Sequence, residues 1–171
     1  IVLPTLAGLK KRNRPFHGIL FPGVMLTKDG PKVIEFNARF GDPEAQSYMR
    51  ILESDLFDIL YACAEGSLKN LEVKWDSSFA CCIVLASNGY PGSYKKGIPI
   101  KIPADSKEIV FFHAGTAIYE NQLITNGGRV LGITATGNTL KQSLINAYHT
   151  ISPSIFDGVQ YRKDIGANIQ K

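Results

Sequence analysis

The sequence predicts an α+β fold, and three observations carry that prediction. A β-hairpin pattern occupies residues 18–40. A three-and-four spacing of apolar residues follows over 43–65. From about Leu71 short strand-like runs alternate with turns, closed by one last helix. The chain has 171 residues, 44% hydrophobic and 20% charged, which is ordinary globular composition with enough apolar material for a core. No internal repeat or low-complexity segment interrupts it.

The hairpin rests on turn chemistry. Gly18 to Thr27 is rich in β-formers, Lys28-Asp29-Gly30-Pro31 is a turn, and Lys32 to Phe40 returns as a second strand. Pro22 and Gly23 inside the first strand predict a bulge or a close backbone approach to a ligand. Asp42 is placed to cap the next helix, with Pro43 at its first position. Tyr48, Ile51, Leu52, Leu56, Ile59, Leu60 and Cys63 recur at helical spacing. They support helix from Pro43 to Glu65, with a reset at Ser54-Asp55 and a stop at Gly66.

The second half reads as strands near Phe79–Ala86, Ile98–Ile102, Ile109–Thr116, Gln122–Thr125 and Arg129–Thr136. Turns are expected at Asn88–Gly92, Tyr119–Asn121 and Asn126–Gly128. A final helix capped by Thr139 or Asn138 runs to Ile151, with Leu140, Leu144, Ile145, Ala147 and Tyr148 inward. YRKDIG at Tyr161–Gly166 is expected as a short strand. The change of texture divides the chain into residues 1–70 and 71–171.

Charge and cysteine content exclude several classes. The net charge is +4 with the basic residues scattered, and the densest run, Lys10, Lys11, Arg12 and Arg14, has no interleaved aromatics. A solvated helix end explains it better than a nucleic-acid arm. Cys63, Cys81 and Cys82 have neither metal-ligand spacing nor a disulfide framework, which fits small buried thiols in a reducing, cytoplasmic compartment. No apolar stretch approaches the ~20 residues of a membrane helix. The opening IVLPTLAGLKKR has its charges after its apolar part, the reverse of secretory order, and without an initiator Met it is expected to begin inside a larger protein.

The chemistry concentrates on the second strand of the hairpin. Alternation places Val33, Glu35, Asn37 and Arg39 on one face, and Ile34, Phe36, Ala38 and Phe40 on the other, an apolar face that can be buried. Successive side chains on a face stand about 6–7 Å apart. Glu35 and Asn37 thus offer a carboxylate and an amide oxygen to a hard cation such as Mg²⁺, which takes one or two carboxylates beside substrate phosphates. Arg39 could meet a phosphate or the charge of a transferring phosphoryl group. From spacing alone, an exposed hairpin with Glu and Arg pairing in solvent explains the pattern better.

Resemblance changes that balance. KVIEFNARFGDPEAQ is similar to the metal- and phosphate-handling strand of ATP-grasp enzymes, whose shared core is E-x-N-x-R, and its continuation into GDPE resembles the phosphoribosylamine–glycine ligase family. Further blocks resemble that family in order: PFHGILFPGVMLT at Pro15–Thr27, ESDL at Glu53–Leu56, LASNGYPGSYKKG at Leu85–Gly97, HAGT at His113–Thr116, TNGGRVLGITA at Thr125–Ala135 and YRKDIG at the end. Together they span essentially the whole chain. Many ATP-grasp members place a second acidic ligand twelve residues before the equivalent of Glu35. That position here is Gly23, as in the narrower family, and the metal shell is correspondingly thinner.

The resemblance implies the C-terminal part of an ATP-grasp catalytic domain, a β-hairpin plus helix over 1–70, followed by a small mixed α+β C-terminal domain over 71–171. It implies a ligase of purine biosynthesis that joins glycine to phosphoribosylamine with ATP as co-substrate. Glu35 and Asn37 would hold Mg²⁺ or Mn²⁺, and Arg39 would face the phosphoryl or acyl-phosphate group. Asp42 and Glu44 would order the loop or meet an amine substrate. Gly127, Gly128 and Arg129 either present N–H groups and a guanidinium to a ribose phosphate or form a tight turn needing positive φ. His113, Arg162, Lys163 and Asp164 are expected to be structural.

The implied N-terminal domain, lid and first part of the catalytic sheet have no counterpart in these residues. The chain is therefore expected to be a fragment, inactive alone, with exposed apolar surface in residues 1–66 and the missing segments as its partners. Two other readings stay open: a different ATP-grasp ligase of purine metabolism, using bicarbonate or formate, and a non-catalytic binding or assembly module.

Overall fold

The computed structural model describes residues 1–167. Its contacts separate two units, Ile1–Ala45 with Leu52–Trp75, and Gln46–Ile51 with Asp76 onward.

The first unit opens with helix α1 (Val2–Lys11), whose last turn carries Lys10 and Lys11. Cations there complement the unsatisfied carbonyls of a helix C-terminus, so the basic run is a helix end, as expected. Strands β1 (Phe21–Thr27) and β2 (Gly30–Asn37) form an antiparallel hairpin. Thr27 pairs with Gly30 across Lys28-Asp29, and Thr27 Oγ1 donates to Gly30 O at 2.7 Å. The register shifts between Gly23 and Val24, the bulge predicted from Pro22-Gly23.

Two helices follow in the chain, α2 (Glu44–Ile51), most of which belongs to the second unit, and α3 (Leu56–Glu65) of the first. The reset between them lies at Asp55, whose carboxylate accepts from Phe57 N at 2.7 Å and Asp58 N at 3.4 Å. Gly66, at φ 70°, ends α3 in the left-handed conformation that costs other residues energy.

The apolar face of β2 does not find cover. Ile34 is 66% and Phe36 48% exposed, and Leu26 on β1 is 83% exposed. The reason is visible in the topology, since β1 and β2 form a two-stranded sheet. In this unit the buried hydrophobics are Ile59 and Ala62 on α3.

The second unit holds the main core. Strands β3 (Phe79–Ala86), β4 (Ile109–His113) and β7 (Arg129–Gly137) form an antiparallel sheet in the order β3-β7-β4. A ribbon of β5 (Thr116–Tyr119) and β6 (Gln122–Thr125) stands beside it in sequence. The central strand β7 is buried continuously from Val130 to Ala135, the pattern of a strand covered on both faces. Ile83, Leu85, Val130, Leu131 and Ile133 are fully enclosed, together with Leu144 and Ala147 of helix α4 (Leu140–Thr150) and with Ile155 and Phe156 beyond it. Thr139 caps α4, its hydroxyl accepting from Gln142 N at 3.1 Å.

Four expectations need correction. Ile98–Ile102 is not a strand. Pro99 within it and Pro103 just after it have no N–H groups to donate, so it makes one bridge, Pro99 to Ile124, and single bonds such as Ile100 N to Leu123 O at 2.8 Å. The run Ile109–Thr116 is broken after His113, and Thr116 begins β5. Ile145 is 37% exposed rather than inward, because α4 turns Ser143, Leu144 and Ala147 to the sheet. YRKDIG is a loop. Arg162 donates to Asp164 at 2.9 and 2.5 Å, folding the segment on itself, and only Gln160 just before it bridges to Ala86. That Arg162 bond also lowers the Asp164 carboxyl below its usual range.

Candidate functional site

Glu35 and Asn37 meet on β2 as the alternation requires. The Asn37 amide donates to Glu35 Oε1 at 3.1 Å, and Glu35 is exposed. A carboxylate and an amide two residues apart on one strand face are already converged. The amide's N and O are exchanged by a turn about its last bond, so its oxygen can replace its nitrogen beside a cation.

Gly23 explains why Glu35 has room. It lies directly across the hairpin, paired with Glu35 at the bulge. A Cβ built on Gly23 would stand 3.0 Å from Glu35 Cγ and 3.6 Å from Oε1. The missing side chain is thus the space that the Glu35 side chain occupies.

Arg39 lies beyond the strand, not on its face. β2 stops at Asn37 because β1 begins at Phe21, its register partner, and no strand residue faces Ala38–Phe40. The Arg39 guanidinium turns back and donates to Phe40 O at 2.7 Å. The GDPE segment then folds tightly. A Cβ on buried Gly41 would strike the Glu44 carboxylate and the Phe21 ring, at 2.8 Å from Phe21 Cε1. Ala45 N donates to Gly41 O at 2.9 Å across the cis Asp42–Pro43 bond, Asp42 is exposed, and Pro43 precedes rather than begins α2.

Gly127, Gly128 and Arg129 belong to the second unit. Neither glycine has positive φ, so a turn that needs it is not why they are glycines. Close packing is. A Cβ on Gly127 would lie 2.8 Å from Gly115 Cα, and one on buried Gly128 would enter the Tyr90 ring. Buried Ser87 fixes the loop from below, its Oγ donating to Gly127 O and its N to Gly128 O, both at 2.8 Å. Arg129 is exposed. Neither Tyr90 nor Ser87 stands out in the sequence, where Asn88–Gly92 reads as a plain turn. The signal was there in a Tyr-Pro pair whose ring needs a residue without a side chain to rest on. The His113 Nδ1 lies 3.0 Å from Thr116 Oγ1, a bond across the turn between β4 and β5.

Among the described residues no group of three or more His, Cys, Asp or Glu side chains could hold a metal by itself. The Glu35–Asn37 pair fits a different design, two hard oxygen donors with the remaining positions left for phosphates and water, which is how Mg²⁺ is commonly held.

Comparison with known proteins decides the family. Residues 80–168 match the family described as phosphoribosylglycinamide synthetase, C domain, and residues 1–45 match phosphoribosylglycinamide synthetase, ATP-grasp (A) domain. The chain belongs to the phosphoribosylglycinamide synthetase family. A phosphoribosylamine–glycine ligase of Caldanaerobacter subterraneus is 47% identical over 167 residues, 98% of this chain and 40% of the relative. A bifunctional purine biosynthetic protein of Dictyostelium discoideum is 44% identical over 97% of the chain and 22% of its own length. The crystal structure of phosphoribosylamine–glycine ligase from Thermotoga maritima superposes with a TM-score of 0.80 at 34% identity, over 94% of this chain and 40% of that one. The chain thus spans about 40% of the length of the phosphoribosylamine–glycine ligases it matches. The A-domain match ends at Ala45, just past the GDPE segment, and the C-domain match begins at Ala80 in β3. Both synthetase segments therefore carry candidate residues, Glu35 to Glu44 in one and Gly127 to Arg129 in the other.

Proposed function

We propose that this chain is the C-terminal segment of a cytoplasmic phosphoribosylamine–glycine ligase of purine biosynthesis, with residues 1–70 completing its ATP-grasp domain and 71–171 forming its C-terminal domain. The observation that carries this reading is the Glu35–Asn37 pair, converged at 3.1 Å opposite a glycine, within a segment that matches the family's ATP-grasp domain.

A glycine carboxylate is a poor electrophile because its leaving group would be oxide. Transfer of the γ-phosphoryl group of ATP to a carboxylate oxygen forms a P–O bond and breaks the bond to ADP. The amine of phosphoribosylamine then attacks the carbonyl carbon, a C–N bond forms, phosphate departs with its oxygen, and the amine loses a proton. Glu35 and Asn37 would hold a divalent cation, Mg²⁺ or Mn²⁺, which when bound neutralises the phosphate oxygens that otherwise repel one another and the carboxylate. Arg39 sits two residues past Asn37, the end of that strand's polar pair, and its bond to Phe40 O is local and exposed. It can be exchanged for phosphoryl oxygens, which carry charge themselves and accept from the guanidinium fork in pairs. Asp42 and Glu44 flank the cis Pro43 turn, where Glu44 packs over Gly41 and orders the loop. Gly127, Gly128 and Arg129 offer a backbone and guanidinium surface to the phosphate of the sugar substrate.

The test is a chimera in which these residues replace the aligned 40% of the Caldanaerobacter enzyme. The reading predicts ADP release that requires both glycine and phosphoribosylamine, and no such activity from the 171 residues alone. ADP release driven instead by bicarbonate or formate would overturn it.

A further inference from the structure

The backbone bonds of the Gly127–Arg129 segment are one-sided. Gly127 O accepts from Ser87 Oγ and Gly128 O from Ser87 N, both at 2.8 Å, and Arg129 O accepts from Gly115 N at 2.9 Å. All three carbonyls are therefore taken by protein donors, whereas no described residue accepts from the N–H of Gly127 or of Gly128. We propose that Ser87 is a positioning residue for phosphate binding. By holding two carbonyls inward, it sets the amides of this segment to donate to the phosphate of the amine substrate. That the anion is this phosphate rests on the ligase reading above.

Peptide geometry gives the hydroxyl its reach. A trans peptide unit is planar, with its C=O and N–H pointing in opposite directions, and neither peptide bond of the segment is cis. Gly127 O faces Ser87, so Gly128 N–H points away from it. Gly128 O faces Ser87 in turn, so Arg129 N–H points away as well. One residue thus fixes two successive peptide planes. Glycine needs such fixing more than other residues do, because without a Cβ its backbone turns most freely.

The unmatched donors select an anion. Gly128 is buried, and in a buried residue an N–H without an acceptor is rare and costly. Donors left over where every neighbouring carbonyl is occupied give the segment a positive partial charge, and the exposed Arg129 adds a full one. A phosphate brings several acceptor oxygens and no competing cation, so it can take both amides and the guanidinium together.

The frame around the segment is already in place, so little ordering opposes binding. Ser87 is 1% exposed, and its own carbonyl accepts from Tyr90 N at 3.1 Å. Tyr90 O accepts from Gln160 Nε2 at 2.8 Å, which anchors the residue whose ring covers Gly128. Gly115 holds the two ends, its O accepting from Asn126 N at 2.7 Å and its N donating to Arg129 O. The Ser87 hydroxyl can be removed without touching any of these backbone bonds, which isolates its contribution.

The experiment is steady-state kinetics of the chimera, native against Ser87→Ala and Ser87→Thr, with each of the three substrates varied in turn. Loss of one hydrogen bond to the segment should raise the KM for phosphoribosylamine roughly three- to tenfold. The maximal rate and the KM values for glycine and ATP should hold. Thr carries the same hydroxyl and should recover most of the loss. An unchanged KM for phosphoribosylamine in folded Ser87→Ala would overturn the proposal. So would KM values that rise together for all three substrates, the mark of general loosening, or a folded Ser87→Thr as weak as Ser87→Ala. Should Ser87→Ala fail to fold by circular dichroism, amide shifts of the native 171-residue chain decide. Ribose 5-phosphate must move the Gly127 and Gly128 amides, and shifts that pass both by refute the role. The two readings fail separately. Glycine-dependent ADP release with a phosphoribosylamine KM blind to Ser87 removes the positioning role and keeps the ligase. Ribose 5-phosphate shifts at Gly127 and Gly128 that Ser87→Ala weakens, in a chain whose chimera shows no glycine-dependent ADP release, remove the ligase and keep the role.

Discussion

Replacing Gly23 with alanine tests whether the hairpin is shaped around Glu35. The added methyl would stand 3.0 Å from Glu35 Cγ, closer than carbon atoms settle, so one side must give by a few tenths of an ångström. Glu35 gives, because it is exposed and its side chain is free to rotate, whereas Gly23 is held in the bulge by pairing. Folding should therefore lose little, within about 0.5 kcal/mol, as for most surface substitutions. The cost falls on the site. Holding Glu35 in its present position against the methyl requires an off-rotamer side chain, about 0.5–1.5 kcal/mol. A ligand of the metal would pass that cost to the metal, a roughly two- to tenfold rise in the Mg²⁺ concentration needed for half-maximal ADP release by the chimera. The assay is a Mg²⁺ titration of that activity, with the melting temperature of the chain as control. An unchanged Mg²⁺ requirement with the variant folded would refute the argument, as would a collapse of stability with the requirement unmoved.

Other consequences follow from the second unit. Gly128→Ala should destabilise it by driving a methyl into Tyr90, and Tyr90→Ala should relieve much of that loss. Chemical denaturation of the two single variants and the double variant should thus give a strongly non-additive cycle. Thr139→Ala removes the cap of α4 and should cost about 1 kcal/mol, seen as a fall of a few degrees in the unit's melting temperature. Burial raises the Cys81 thiol, and the folded chain therefore keeps a proton that the unfolded chain loses. Stability should be intact below the ordinary thiol range and decline as pH climbs through it, and a thiol reagent should modify the more accessible Cys63 well before Cys81. Burial raises the Tyr148 hydroxyl as well, so Cys81→Ala should flatten only part of the alkaline decline.

Much of this architecture was legible from residues alone, for physical reasons. Phe79–Ala86 and Gln122–Thr125 read correctly because uninterrupted β-formers end at turn residues, and Asp55 and Thr139 because a capping side chain announces the helix it starts. The Glu35–Asn37 convergence follows from the two-residue period of any strand. What failed depended on partners. Arg39 left the polar face because β1 does not extend far enough to pair with it, and a strand's own residues do not reveal where its neighbour begins. Ile34 and Phe36 are exposed because their apolar face needs a layer that these residues do not supply. The Tyr90–Gly128 packing joins residues 38 apart in the chain, and their types alone did not connect them.

The central claim is that Glu35, with Asn37, holds the cation for phosphoryl transfer to a carboxylate. Glycine-dependent ADP release by the chimera, native against Glu35→Gln, measures it most directly. Gln keeps the size and loses the charge, so the account predicts a fall of roughly 10–100-fold or more, partly recovered by raising Mg²⁺. ADP release at the native rate and the native Mg²⁺ requirement would contradict it.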